Sequence, residues 1–128
     1  MGMPIEDLIG TEREEPFTVD GRLTTDVGGT IEATVLSTPG MIGMMEYNAT
    51  LLVAPELAEG KATVGFEVSI KHVGGALGGS ECVAWARLDE VIDGRKLRFA
   101  VEVRQDERII GVGIHERRVI AVDGAGGP

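Results

Sequence analysis

One stretch of this chain, 38–54, is apolar or small at almost every position: TPGMIGMMEYNATLLVA. Such a run predicts a helix buried on most sides, not a surface helix with a single apolar stripe. Ser37 or Thr38 can accept a bond from an unpaired N–H at its start, Pro39 is preset for the first turn, and Pro55 stops it after Ala54. Beyond Gly60 the period changes from the helical repeat to two. Ala62, Val64, Phe66, Val68 and Ile70 alternate with Thr63, Gly65, Glu67, Ser69 and Lys71, which predicts a strand over 62–71 with its first set facing a core.

Gly74-Gly75 and Gly78-Gly79 interrupt the chain before a second long strand over 80–92, and Asp93-Gly94 is a hairpin signal. Leu97, Phe99, Val101 and Val103 mark a third strand over 97–104, and after Asp106-Glu107 a last one runs over 108–122. Ahead of the helix, 17–23 alternates and predicts a first strand, while 24–37 holds Gly28-Gly29 and little period, as a loop does. Residues 1–16, with Glu12-Arg13-Glu14-Glu15, read as a polar lead-in, 17–122 as one domain and 123–128 as a flexible tail. The order is strand, loop, helix, then four antiparallel strands. A curved five-stranded antiparallel sheet wrapped round one long helix, an α+β arrangement of the hot-dog type, buries such a helix with the fewest elements. Its edge strands need cover, so a dimer with a continuous sheet is expected.

Composition narrows the function. At 128 residues and 43% hydrophobic content the chain supports one core without disulfides, and its one cysteine, Cys82, suits a reducing, cytoplasmic setting. A net charge of −9 argues against a nucleic-acid partner, and the acidity is read as solubility. No apolar run is long enough to span a membrane, and the N-terminus carries no secretory signal.

Three residues then stand out. Glu46 lies in the middle of the apolar helix, where an unpaired carboxylate costs several kcal/mol. Thr38 stands at the helix start, and His72 shares the parity of the core-facing residues at the end of their strand. A hydroxyl, a carboxylate and an imidazole at one rim suit acyl transfer, with helix-start N–H groups available to hold a developing oxyanion. Against that, a threonine there is commonly a cap and a histidine at a strand end commonly structural. A structural ion pair from Glu46 to an arginine also remains open. The residues by themselves lead to a hydrolase or a binding site at the helix.

At these positions the chain resembles the fluoroacetyl-CoA thioesterase-like family of hot-dog proteins. The matching stretches are STPGMIGMME at 37–46, VGFEVSIKH at 64–72 and GIHER at 113–117. The resemblance implies hydrolysis of an acyl-CoA thioester by a homodimer or a dimer of dimers, with no cofactor and no metal. It implies catalytic roles for Thr38, Glu46 and His72, and an acyl pocket lined by Gly65 and Arg117. The segment 28–36 has no aromatic residue where the family's fluoroacetate-selective member carries a phenylalanine-bearing lid. That departure argues against fluorine selectivity and leaves the acyl group open between another small one and a larger one. Two other readings compete: a hot-dog hydratase or dehydratase, which does not need Thr38, and a non-catalytic acyl-CoA or small-ligand binding module.

Overall fold

The computed structural model describes residues 4–122. The chain runs β1 (Glu12–Thr18), β2 (Thr24–Thr25), β3 (Val35–Leu36), α1 (Thr38–Val53), β4 (Lys61–His72), β5 (Glu81–Ile92), β6 (Lys96–Gln105) and β7 (Arg108–Ala121). Five strands form one antiparallel sheet in the order β1-β5-β6-β7-β4, and β2 pairs with β3 beside the start of α1. The β5–β6 connection turns at Asp93 and Gly94, both with positive φ, as a tight reversal between right-twisted strands requires. This is the helix-in-sheet, hot-dog arrangement expected.

The core lies between α1 and the middle of the sheet. Met41, Met45, Ala49, Leu52 and Val53 from the helix meet Ala84, Ala86 and Leu88 of β5 and Leu97, Phe99, Val101 and Val103 of β6. Their helical spacing is that of one face. The opposite face stays open in the single chain: Gly43 is exposed and Tyr47 is 50% exposed. The helix is therefore buried along one stripe and not all round, and Glu46, expected deep inside, is half-buried at the stripe's margin. The other long element left open is β4, an edge of the sheet.

Two expectations need correcting. The first strand is Glu12–Thr18, not 17–23, and Gly21–Leu23 is a 3-10 turn. Residues 12–16 of the expected lead-in thus pair within the sheet, and Leu8, in a 3-10 turn over Ile5–Leu8, is part of the core. Hydrophobic periodicity missed this strand because polar groups secure it. Arg13 donates to the buried amide oxygen of Asn48 at 2.8 Å, and Asn48 donates back to the Arg13 carbonyl at 2.8 Å and to that of Ala84 at 3.1 Å. On the other face, Trp85 Nε1 donates to Glu12 and Arg104 to Glu14. The expected tail, 123–128, lies outside the described residues.

The second correction concerns β4. Its pairing with β7 shifts between Gly65 and Glu67, so that Gly65 faces Arg117 and Glu67 faces Glu116, with Phe66 as the extra residue of a bulge. Side chains alternate faces along a strand, so one inserted residue inverts the sides on its two flanks. Val68, Ile70 and His72 face the helix as expected. Before the bulge it is Thr63 and Gly65, not Ala62, Val64 and Phe66, that share the inner face with buried Arg117. Phe66 is 60% exposed, and the Arg118 guanidinium lies 3.6 Å from its ring centroid.

Candidate functional site

The helix start sets the first group of side chains. Ser37, extended and just outside α1, accepts from the Gly40 N–H through its hydroxyl at 2.9 Å, so the cap is Ser37 and not Thr38. Gly40 can be nothing larger: a Cβ there would stand 2.9 Å from the backbone of Leu23. With the cap supplied next door, the Thr38 hydroxyl is free for other use, and Thr38 Oγ1 lies 2.8 Å from His72 Nδ1. The segment after β4 delivers the imidazole. Val73 and Gly74 both donate to the Ile110 carbonyl, and Leu36 N–H bonds the Ala76 carbonyl, tying the end of β4 to the strand that leads into α1. Of the oxyanion donors expected at this helix start, the Thr38 N–H has no partner among the described residues, while the next three positions offer none. Pro39 has no N–H, Gly40 is held by the Ser37 side chain and Met41 by the Ser37 carbonyl.

Two turns along α1 is a second group. Glu46 meets β4 at Gly65: a Cβ at residue 65 would begin 3.0 Å from Glu46 Oε2, 3.7 Å from Arg117 Nη1 and 3.7 Å from His115 Cε1. The missing side chain thus leaves a narrow space, too tight for a methyl, walled by a carboxylate, a guanidinium and an imidazole. Arg117 and His115 are both buried. Arg117 donates through Nε to Thr63 Oγ1 at 2.9 Å and through Nη2 to the Thr63 carbonyl at 2.9 Å, and its Nη1 lies 3.1 Å from His115 Nε2. Burial pulls the Arg117 pKa down, and the Glu46 carboxylate pulls it back up. Burial also lowers the His115 pKa below its ordinary value; Arg117 adds to that, while the Glu67 carbonyl, Glu46 and Glu116 oppose it.

The structure therefore joins Thr38 to His72 by a hydrogen bond and sets Glu46 and Arg117 on two sides of one space over Gly65, with no hydrogen bond or ion pair between them. It does not bring all three expected catalytic residues together in one chain, because eight residues of helix put Thr38 and Glu46 about 12 Å apart along the axis. Sequence reasoning missed Thr63 and His115. The usable signal was the alternation on β7, where His115 and Arg117 share a face with Gly113 and Gly111 and so belong to the inside. Among the described residues no group of three His, Cys, Asp or Glu side chains is placed to hold a metal, and no helix is long and apolar enough to cross a membrane.

Comparison with known proteins agrees with the fold. The family model described as fluoroacetyl-CoA-specific thioesterase matches residues 19–123. The fluoroacetyl-CoA thioesterase of Streptantibioticus cattleyicolor is 32% identical over 89 residues, 70% of this chain and 63% of that protein, so the match spans under two thirds of the relative's length. Among solved structures, a phenylalanine-to-alanine variant of the fluoroacetyl-CoA-specific thioesterase FlK, in complex with fluoroacetate and CoA, superposes with a TM-score of 0.81 at 27% identity, over 91% of this chain and 97% of that one. A hot-dog-like protein from Thermanaerovibrio acidaminovorans shares the fold, with a TM-score of 0.85 at 22% identity over 97% and 93% of the two chains. From the matched span and the arrangement of helix and sheet, this chain belongs to the fluoroacetyl-CoA-specific thioesterase family.

Proposed function

We propose that the protein hydrolyses acyl-CoA thioesters at a composite site made by two copies of the chain, Thr38 and His72 coming from one and Glu46, Gly65 and Arg117 from the other. The observation that carries the reading is the 2.8 Å Thr38–His72 contact, together with the Ser37 cap that frees the Thr38 hydroxyl for it. With Nδ1 unprotonated, His72 accepts a hydrogen bond from the Thr38 hydroxyl. It then takes the proton of the group attacking the thioester carbonyl, Thr38's own hydroxyl or a water beside it. Attack forms a C–O bond, collapse breaks the C–S bond, and the proton held by His72 passes to the departing CoA thiolate. Where Thr38 is the attacking group, Glu46, in its space over Gly65, serves as the base for the water that cleaves the acyl-threonine ester and returns the threonine hydroxyl.

The open faces support the two-copy arrangement. β4 is an edge strand, and the outward half of α1, with Tyr47, lies beside it. If β4 pairs antiparallel with its own copy about Ser69, and Phe66 stays outside that ladder as it does outside the one with β7, His72 of one chain comes opposite Gly65 of its partner. That register joins the two halves of the site. No aromatic residue occurs over 28–36, where Ile31 is exposed, so the acyl group is one that needs no aromatic lid.

A thiol-release assay across acyl-CoA chain lengths, fluoroacetyl-CoA included, tests the reading. Release from a small or medium acyl-CoA, without preference for fluorine, is the expected result. No release from any of them, with CoA esters still bound, would make the protein a binding module.

A further inference from the structure

We infer that His115 is a positioning residue that works only as a neutral imidazole, aiming Arg117 at the space over Gly65 that Glu46 also borders; the inference rests on the composite site just proposed. The argument begins with donors. A guanidinium has N–H groups and no acceptor, so across the 3.1 Å contact Arg117 Nη1 donates and His115 Nε2 accepts. The ring's proton then sits on Nδ1, which donates to the Glu67 carbonyl at 2.8 Å. Both nitrogens are used, each in one direction.

Arg117 in turn spends two more N–H groups on Thr63, one on its hydroxyl and one on its carbonyl. Three of its five donors are thus fixed by β4 and by its own strand, which leaves one hydrogen on Nη1 and one on Nη2. Nη1 borders the space above Gly65 that Glu46 Oε2 also borders. His115 and Thr63 therefore set the direction of the cation that shares this space with the proposed catalytic carboxylate. Phe99, stacked on the imidazole at 6.2 Å between centroids, fixes the ring from β6.

Protonation would undo the arrangement, since an Nε2–H would point at an N–H of a cation. The charged groups around the ring are Glu46 on α1 and Arg117 and Glu116 on β7, while β4 presents the Glu67 carbonyl. The carboxylates favour a second proton. Burial and Arg117 oppose it.

Two measurements test the inference. The chain has two histidines, so in His72→Ala the ¹⁵N imidazole signals belong to His115 alone. At pH 6.5 they should show a neutral ring with its proton on Nδ1, although an ordinary histidine is half charged there. A charged ring, or a proton on Nε2, overturns the inference whatever the enzyme does. In the full protein, His115→Phe should lower kcat by up to about 10²-fold with little change in KM. His115→Gln, whose side-chain oxygen can accept where Nε2 does, should recover most of it. Adding His115→Phe to Arg117→Leu should cost nothing more, because the histidine acts through the arginine. Independent, multiplying losses would mean that His115 merely packs the core. If the parent protein releases no thiol at all, the composite site falls, and the ¹⁵N spectrum still decides whether His115 holds Arg117 as inferred.

Discussion

Thr38 with His72, and Glu46 with Arg117, are built in opposite ways. The first pair stands at a helix start and a strand end, with Thr38 exposed and His72 half-buried, and one hydrogen bond links the two side chains. Around Glu46, by contrast, Arg117 and His115 are buried and locked by four hydrogen bonds to Thr63, Glu67 and one another. The difference shows how labour is divided in such a site. A proton-transfer pair has to change partners as the reaction proceeds, so a single bond in a partly open place suits it. A group that presents a fixed charge benefits from a dry, fully bonded setting, where reorganisation is small.

The sharpest way to break the comparison is to separate the halves. His72→Ala and Glu46→Gln should each reduce thiol release by roughly 10²–10⁴-fold while the far-ultraviolet circular dichroism stays unchanged. Mixing the two inactive proteins under exchange conditions should then restore about a quarter of the parent activity, because half of the dimers are mixed and each mixed dimer has one intact site. No recovery, with exchange demonstrated by mass, would place the whole site within one chain.

A smaller loss is expected from Gly65→Ala. Its methyl would begin 3.0 Å from Glu46 Oε2, so the carboxylate must shift by a few tenths of an ångström, and kcat should drop about 10-fold. An unchanged kcat would show that the space above Gly65 is not where the chemistry happens. At the helix start, neighbouring residues should separate cleanly. Ser37→Ala removes the cap and should cost about 1 kcal/mol, roughly 4 °C in Tm, with turnover nearly intact. Thr38→Ala should do the reverse, leaving Tm in place and removing turnover.

The smallest effect is in the pH dependence of stability. The folded state holds His115 below its ordinary pKa of 6.5, so between that value and the folded one the unfolded chain binds more protons. The stabilisation from keeping this ring neutral is complete above pH 6.5 and is lost as pH falls toward the folded pKa. Tm should therefore fall less steeply with acidification in His115→Gln than in the parent. Parallel curves would mean that the ring titrates normally.

Much of this was legible in the sequence, and the failures have physical causes. The helix, the four strands after it and the hot-dog arrangement follow from a change of hydrophobic period at Gly60. His72 was placed on the correct face because counting back from the strand's end never crosses the bulge. Phe66 was placed on the wrong face because periodicity does not register an extra residue. β1 was missed because Arg13 and Asn48 do there what apolar contacts do elsewhere. Glu46 looked buried because the sequence cannot separate a helix enclosed by its own chain from one with a face left open. Thr38 looked like a cap because two adjacent hydroxyls compete for that role, and only geometry assigns it to Ser37.

The bulge carries a consequence for how this strand can change length. Register on both sides of Phe66 is already that of a continuous ladder, Gly65 opposite Arg117 and Glu67 opposite Glu116. Removing Phe66 would leave every flanking residue with its present partner and on its present face, costing mainly local twist and the contact with Arg118. Removing Val68 or Ser69 would instead turn one end of the strand inside out, and His72 or Gly65 with it. Of all the places where β4 might lose a residue, the exposed phenylalanine is the one the ladder never counted.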